Sequence, residues 1–111
     1  MRRRPEPPRT LPHVVVVTRF RVTDDVADGF ARDAVEALEE LSAGQGFVRG
    51  HVGRNVDDPQ LWALVTEWDG VGSYRRALGA FDVKLTLTPL AVFALDEPGA
   101  YELVVSRPRA T

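Results

Sequence analysis

The residues best suited to chemistry in this chain gather in one stretch, LWALVTEWDGVGSYRRAL, residues 61–78. Trp62, Trp68 and Tyr74 follow one another at intervals of six, and flat rings of this kind could line a slot for a planar aromatic ligand. They could equally fill a core between a sheet and its helices. His51 adds an imidazole, which titrates near neutrality and could move a proton; its facing is left open by the sequence. Thr18 could donate a hydroxyl, although strand propensity explains it as well. Arg49, Arg75, Arg76 and the single lysine, Lys84, could draw an anion, but their plainest reading is solvated surface. With no cysteine and only two histidines, the chain lacks the ligands for metal chemistry.

These side chains must be positioned by the elements that the periodicity predicts. HVVVVTRFRV, residues 13–22, has the β-branched content and late alternation of a strand whose first half is buried on both faces. Thr23, Asp24 and Asp25 are capping candidates for a helix in which Val26, Phe30, Ala34, Ala37, Leu38 and Leu41 form one stripe and the acidic residues a solvated face. SAGQG stops it. FVRGHVGRNV and LWALVTEW then predict a hairpin around DDPQ. Asp69 and Gly70 can open a second helix, with Val71, Tyr74, Ala77, Leu78 and Phe81 on one side. FDVKLTLTPLAVFALDEP reads as helix broken around Pro89, and AYELVVS as a closing strand.

Strand, helix, strand, strand, helix, strand is the split βαβ order of ferredoxin-like α+β folds, an antiparallel four-stranded sheet with its helices on one face. The other face is then bare. Val15, Val17, Ala63, Val65, and Leu103 and Val105 or their neighbours, would expose an apolar patch best covered by a second copy, sheet to sheet, in a homodimer. Alternation puts Trp62, Leu64, Thr66 and Trp68 together, opposite Ala63 and Val65. If Ala63 and Val65 face the dimer, the tryptophans face the helices, where Tyr74 and Leu78 could meet them over a pocket that also includes Thr18 and Leu64.

Composition narrows the partners. At 111 residues, 44% apolar and 27% charged, this is one soluble domain. A formal charge of -2 and a pI near 5.6 offer a phosphate backbone little attraction, which excludes nucleic acid. No apolar run approaches the roughly 18 residues that cross a bilayer, and the lack of cysteine suits a cytoplasmic protein. Residues 1–12 read as a disordered arginine- and proline-rich tail, 13–106 as the folded domain and 107–111 as a second tail.

GFVRGHVGRNVDDPQLWALVTEWDGVGSYRRAL, with a β-branched strand upstream and DEPGAYELV downstream, resembles the antibiotic biosynthesis monooxygenase family of dimeric α+β barrels. The likeness covers about residues 13–105 and rests on element order, Gly46-Phe47, the aspartate turn, EWD and Tyr74. It implies a homodimer with a pocket between sheet and helices in each subunit. It also implies oxidation of a planar, electron-rich aromatic of polyketide or quinone type by dioxygen, without metal or flavin, in a site where Trp68 and Tyr74 match the family's aromatic pair. Leu64 stands where well-studied members carry asparagine, and their arginine has no counterpart. His51 is the titratable candidate for proton transfer. Haem-degrading relatives take their iron ligand from a histidine on the second helical segment, and residues 71–95 contain none. The alternative within the same fold is a dimeric ligand-binding or accessory module without turnover.

Overall fold

Val14, Val16 and Phe20 are buried while Val15, Val17 and Arg19 are less so, so the first strand, β1 (Val14–Arg21), turns one face to a core and the other away from it. The computed structural model describes residues 12–110. Of the tail expected over 1–12, all but Pro12 lies outside the described residues; residues 107–110 are exposed and belong to no element.

After β1, Thr23 precedes a 3₁₀ turn, Asp24–Val26, but its side chain caps nothing. The turn closes through the backbone instead, with Val26 N–H donating to Thr23 O at 3.2 Å. Helix α1 (Ala27–Ser42) follows, and its stripe of Phe30, Ala34, Ala37 and Leu41 is buried. Gly46, at φ +90°, turns the chain into β2 (Phe47–Arg54) through a conformation that other residues rarely adopt. At the hairpin the Asn55 side-chain oxygen accepts the N–H groups of Asp57 and Asp58 at 2.9 and 2.8 Å. The chain returns as β3 (Leu61–Trp68) and continues into α2 (Val71–Gly79) and α3 (Phe81–Ala91). The helical break falls at extended Ala80, not at Pro89, which sits inside α3 two residues from its end.

All strand pairs are antiparallel, in the order β2-β3-β1-β4, where β4 is Ala100–Glu102. The fold is the ferredoxin-like α+β arrangement. β4 is shorter than the seven residues AYELVVS predicted as the closing strand. Its ladder runs out because Glu102 already stands opposite Val14, the first residue of β1, and one more bond, Leu103 N–H to His13 O, ends the pairing. The bare-face residue of β4 is therefore Tyr101, opposite Val15.

Two close approaches decide where the layers touch. Gly50 lies on the helix side of β2, where a Cβ would come within 2.6 Å of Leu38 Cδ1 and 3.2 Å of Val65 O, so α1 rests directly on that strand. Phe30 of α1 packs on Phe20 of β1 and Trp62 of β3, and where α2 and α3 face the same two strands a cavity is left. The opposite face carries Val15, Val17, Ala63, Val65 and Tyr101, bordered by ion pairs Arg19–Glu97, Arg21–Asp58 and Arg49–Glu67. Among the described residues no helix is long and apolar enough to cross a membrane.

Candidate functional site

A cavity of about 220 Å³ lies between the sheet and the helices. Val16, Thr18 and Phe20 of β1 and Leu64 and Thr66 of β3 form its floor, which strand alternation requires once Val15 and Val65 face outward. Tyr74 and Leu78 of α2 and Leu87, Leu90 and Ala91 of α3 form its roof, with Leu41 of α1 and Ala94 at its sides. Ala91 and Ala94 are exposed, so the cavity meets solvent near the C-terminal end of α3.

Tyr74 is positioned by the way α2 begins. Asp69 N–H donates to Gly46 O at 2.8 Å, and the Asp69 carboxylate accepts the Ser73 hydroxyl at 2.5 Å. A side chain on Gly46 would occupy the space that Ser73 and Asp69 fill. The first turn of α2 is thus tied to the loop before β2, and Tyr74, next to Ser73, projects into the cavity. Burial pushes its phenol pKa up, so the group stays protonated and acts as a hydrogen-bond donor at neutral pH.

Among the described residues the polar side chains of the lining are the hydroxyls of Thr18, Thr66 and Tyr74. No charged side chain among the described residues lines the cavity. Thr66 faces Val16 and Thr18 faces Leu64 across the β1–β3 ladder, which makes the two threonines diagonal neighbours on one face, about 7–8 Å apart at Cα.

Of the residues singled out in the sequence, Thr18, Leu64, Tyr74 and Leu78 meet on the cavity wall. Trp68 does not. It is completely buried, packed 5.2 Å from Phe47 and 5.9 Å from Tyr74 between ring centroids, and its Nε1 donates to Thr66 Oγ1 at 2.9 Å. Trp62 also stands on the helix side but away from the cavity, edge-on to Phe30 at 5.5 Å, with the Arg54 guanidinium 4.7 Å from its ring and its buried Nε1 without a hydrogen-bond partner among the described residues.

His51 lies on the other side of the sheet. It pairs with Val65, so both project from the bare face. Phe47 pairs with Trp68 and faces the helices, and plain alternation from Phe47 would have brought His51 inward too. An irregularity at Val48, where the partner of Arg49 is Glu67, inverts the rest of the strand. Lys84, Arg75 and Arg76 are exposed and lie outside the cavity wall. Sequence reasoning gave Thr66 no role; the signal available was its place in the same alternating set as Leu64 and Trp68. Among the described residues no three histidine, aspartate or glutamate side chains gather as a metal site would require.

The sequence matches the family model for antibiotic biosynthesis monooxygenase over residues 13–81, more than half of the chain. The chain belongs to the antibiotic biosynthesis monooxygenase family. Solved structures of antibiotic-biosynthesis-monooxygenase type share its fold. SnoaB, a cofactor-independent oxygenase from Streptomyces nogalater, is 23% identical, with 89% of this chain and 100% of that chain covered at a TM-score of 0.75. An antibiotic-biosynthesis-monooxygenase-type protein of Deinococcus radiodurans is 16% identical, covering 88% and 99%, at 0.76. A conserved protein of Methanosarcina mazei is 17% identical, covering 84% and 92%, at 0.71. No curated protein matches the sequence significantly.

Proposed function

We propose that this protein is a cytoplasmic, homodimeric, cofactor-independent monooxygenase that oxidises a small, planar, electron-rich aromatic of quinol or phenolic polyketide type with dioxygen. The observation that carries this reading is an apolar cavity to whose wall the described residues bring three hydroxyls and no charge. An ionised phenol can pass an electron to dioxygen without help, so the hard chemistry belongs to the substrate. What such a site supplies is a dry enclosure, orientation and donors for the developing oxyanion. Thr18 and the protonated Tyr74 are suited to that task. With His51 beyond the sheet, the described residues bring no base to the wall, and the substrate arrives ionised or loses its proton to solvent.

Size limits the substrate class. An apolar void of about 150 Å³ already holds benzene, so about 220 Å³ suits one ring or a fused pair. A three-ring anthrone needs extra room at the mouth beside Ala91 and Ala94. The bare face, with Val15, Val17, Val65 and Tyr101, supports the sheet-to-sheet homodimer.

The test is oxygen consumption by metal-free protein supplied with naphthols, hydroquinones and anthrones. Uptake is expected for one- and two-ring substrates above the rate without protein. The uncharged wall also favours a second reading, a ligand-binding module without turnover. Binding seen by tryptophan fluorescence with no oxygen uptake from any substrate would establish that reading and reject the enzyme.

A further inference from the structure

The hydrogen bond between Trp68 and Thr66 has a direction, and the direction matters. Indole nitrogen only donates, so Thr66 Oγ1 accepts at 2.9 Å and its hydroxyl hydrogen must point elsewhere. Among the described residues no acceptor takes that hydrogen. Thr66 is 3% exposed and lines the cavity. Because Thr66 lines the cavity, a ligand oxygen seated there is an acceptor that this hydrogen can meet.

We infer that Thr66 is the specificity-determining donor to the ligand's phenolic oxygen, and that Trp68 is a positioning residue that works through it without touching the ligand. The inference rests on the aromatic-ligand reading above and assigns the roles within it. The indole fixes the Thr66 side chain in one rotamer and polarises its O–H, since chained hydrogen bonds strengthen one another. Trp68 is itself clamped by Phe47, so the donor is aimed before any ligand arrives. A pre-aimed donor favours the phenolate over the phenol, because a hydrogen bond to a charged oxygen is the stronger of the two. The preferred ligand is therefore an aromatic whose oxygen can seat above Thr66; the same ring with a methyl in place of that oxygen leaves the hydroxyl without a partner.

The test is the pKa of 2-naphthol bound to the full-length protein under nitrogen, followed at the naphtholate absorption band. Thr66→Val keeps the shape and removes the donor, and is expected to raise the bound pKa by about one unit or more. Thr66→Ser keeps the hydroxyl and should hold the pKa near the wild-type value. Trp68→Phe should raise it part of the way, and should add nothing in the Thr66→Val background. If Thr66→Val weakens naphthol and naphtholate equally, leaving the pKa in place, Thr66 is only structural and the inference fails while the aromatic site stands. If Trp68→Phe shifts the pKa further in the absence of the Thr66 hydroxyl, Trp68 acts on the ligand directly and its assigned role is wrong. If wild-type protein does not bind naphthol at all, the ligand reading and the inference fall together.

Discussion

Arg19 grips Glu97 through two hydrogen bonds, Nε to Oε2 at 2.7 Å and a terminal nitrogen to Oε1 at 2.6 Å. The pair fastens the segment between α3 and β4 along the free edge of β1, where Leu95 N–H donates to Arg19 O and Val17 N–H to Gly99 O. Arg19 holds the Glu97 carboxyl below its usual 4.5. A depressed carboxyl contributes stability that is present above its unfolded pKa and lost as pH falls through the folded one. Hydrogen exchange at Leu95 should therefore accelerate, relative to Glu97→Gln, only below about pH 5. An equal pH response in wild type and Glu97→Gln would remove the pair as its cause.

Gly50 is expected to resist enlargement. Gly50→Ala sets a methyl against Leu38, Phe47 and the Val65 carbonyl, and overpacking of this kind costs about 1–3 kcal/mol. Urea denaturation should show a lower midpoint with an unchanged slope. An unshifted midpoint would mean that α1 sits more loosely on β2 than described.

The pH dependence of oxygen uptake should belong to the substrate. Among the described residues no titrating base lines the cavity, so the rise of kcat/KM with pH should move with the acidity of the phenol supplied. His51→Ala should leave the profile in place, since His51 stands on the opposite face. A limb that stays put across substrates and vanishes with His51→Ala would contradict this.

Tyr74→Phe should lower kcat/KM about tenfold, the value of one donated hydrogen bond of about 1.4 kcal/mol. Burial raises the Tyr74 pKa, so the loss should be constant from pH 6 to 9. A loss that grows or shrinks across that window would point to an ionised phenol.

Val65→Asp places a charge at the centre of the bare face without touching the core. Sedimentation at micromolar concentration should show wild type as a dimer and the variant as a monomer, with matching circular dichroism. A variant that stays dimeric would direct attention to another surface.

Much of this was legible in the chain. The β-branched run from Val14 to Val17 announced β1, the stripe from Phe30 to Leu41 announced α1, and the Asp57–Gln60 turn announced the hairpin. The reason is local: period two and period near 3.6 are properties of backbone geometry that show in residue type. From these followed the order of elements, the one-sided layer of helices and the common face of Leu64, Thr66 and Trp68.

The rest depended on contacts between distant segments. One irregularity at Val48 turned His51 away from the cavity, and β4 ended where its partner strand began. Trp68 proved to be filled space and Thr66 to be wall, although both occupy the same strand face. On β3 alternation determined which side each residue takes. Whether that side meets a packed ring or an open cavity was decided by how closely α1, α2 and α3 settle on the sheet, because packing is a property of the volumes that several elements bring together and no single element carries it.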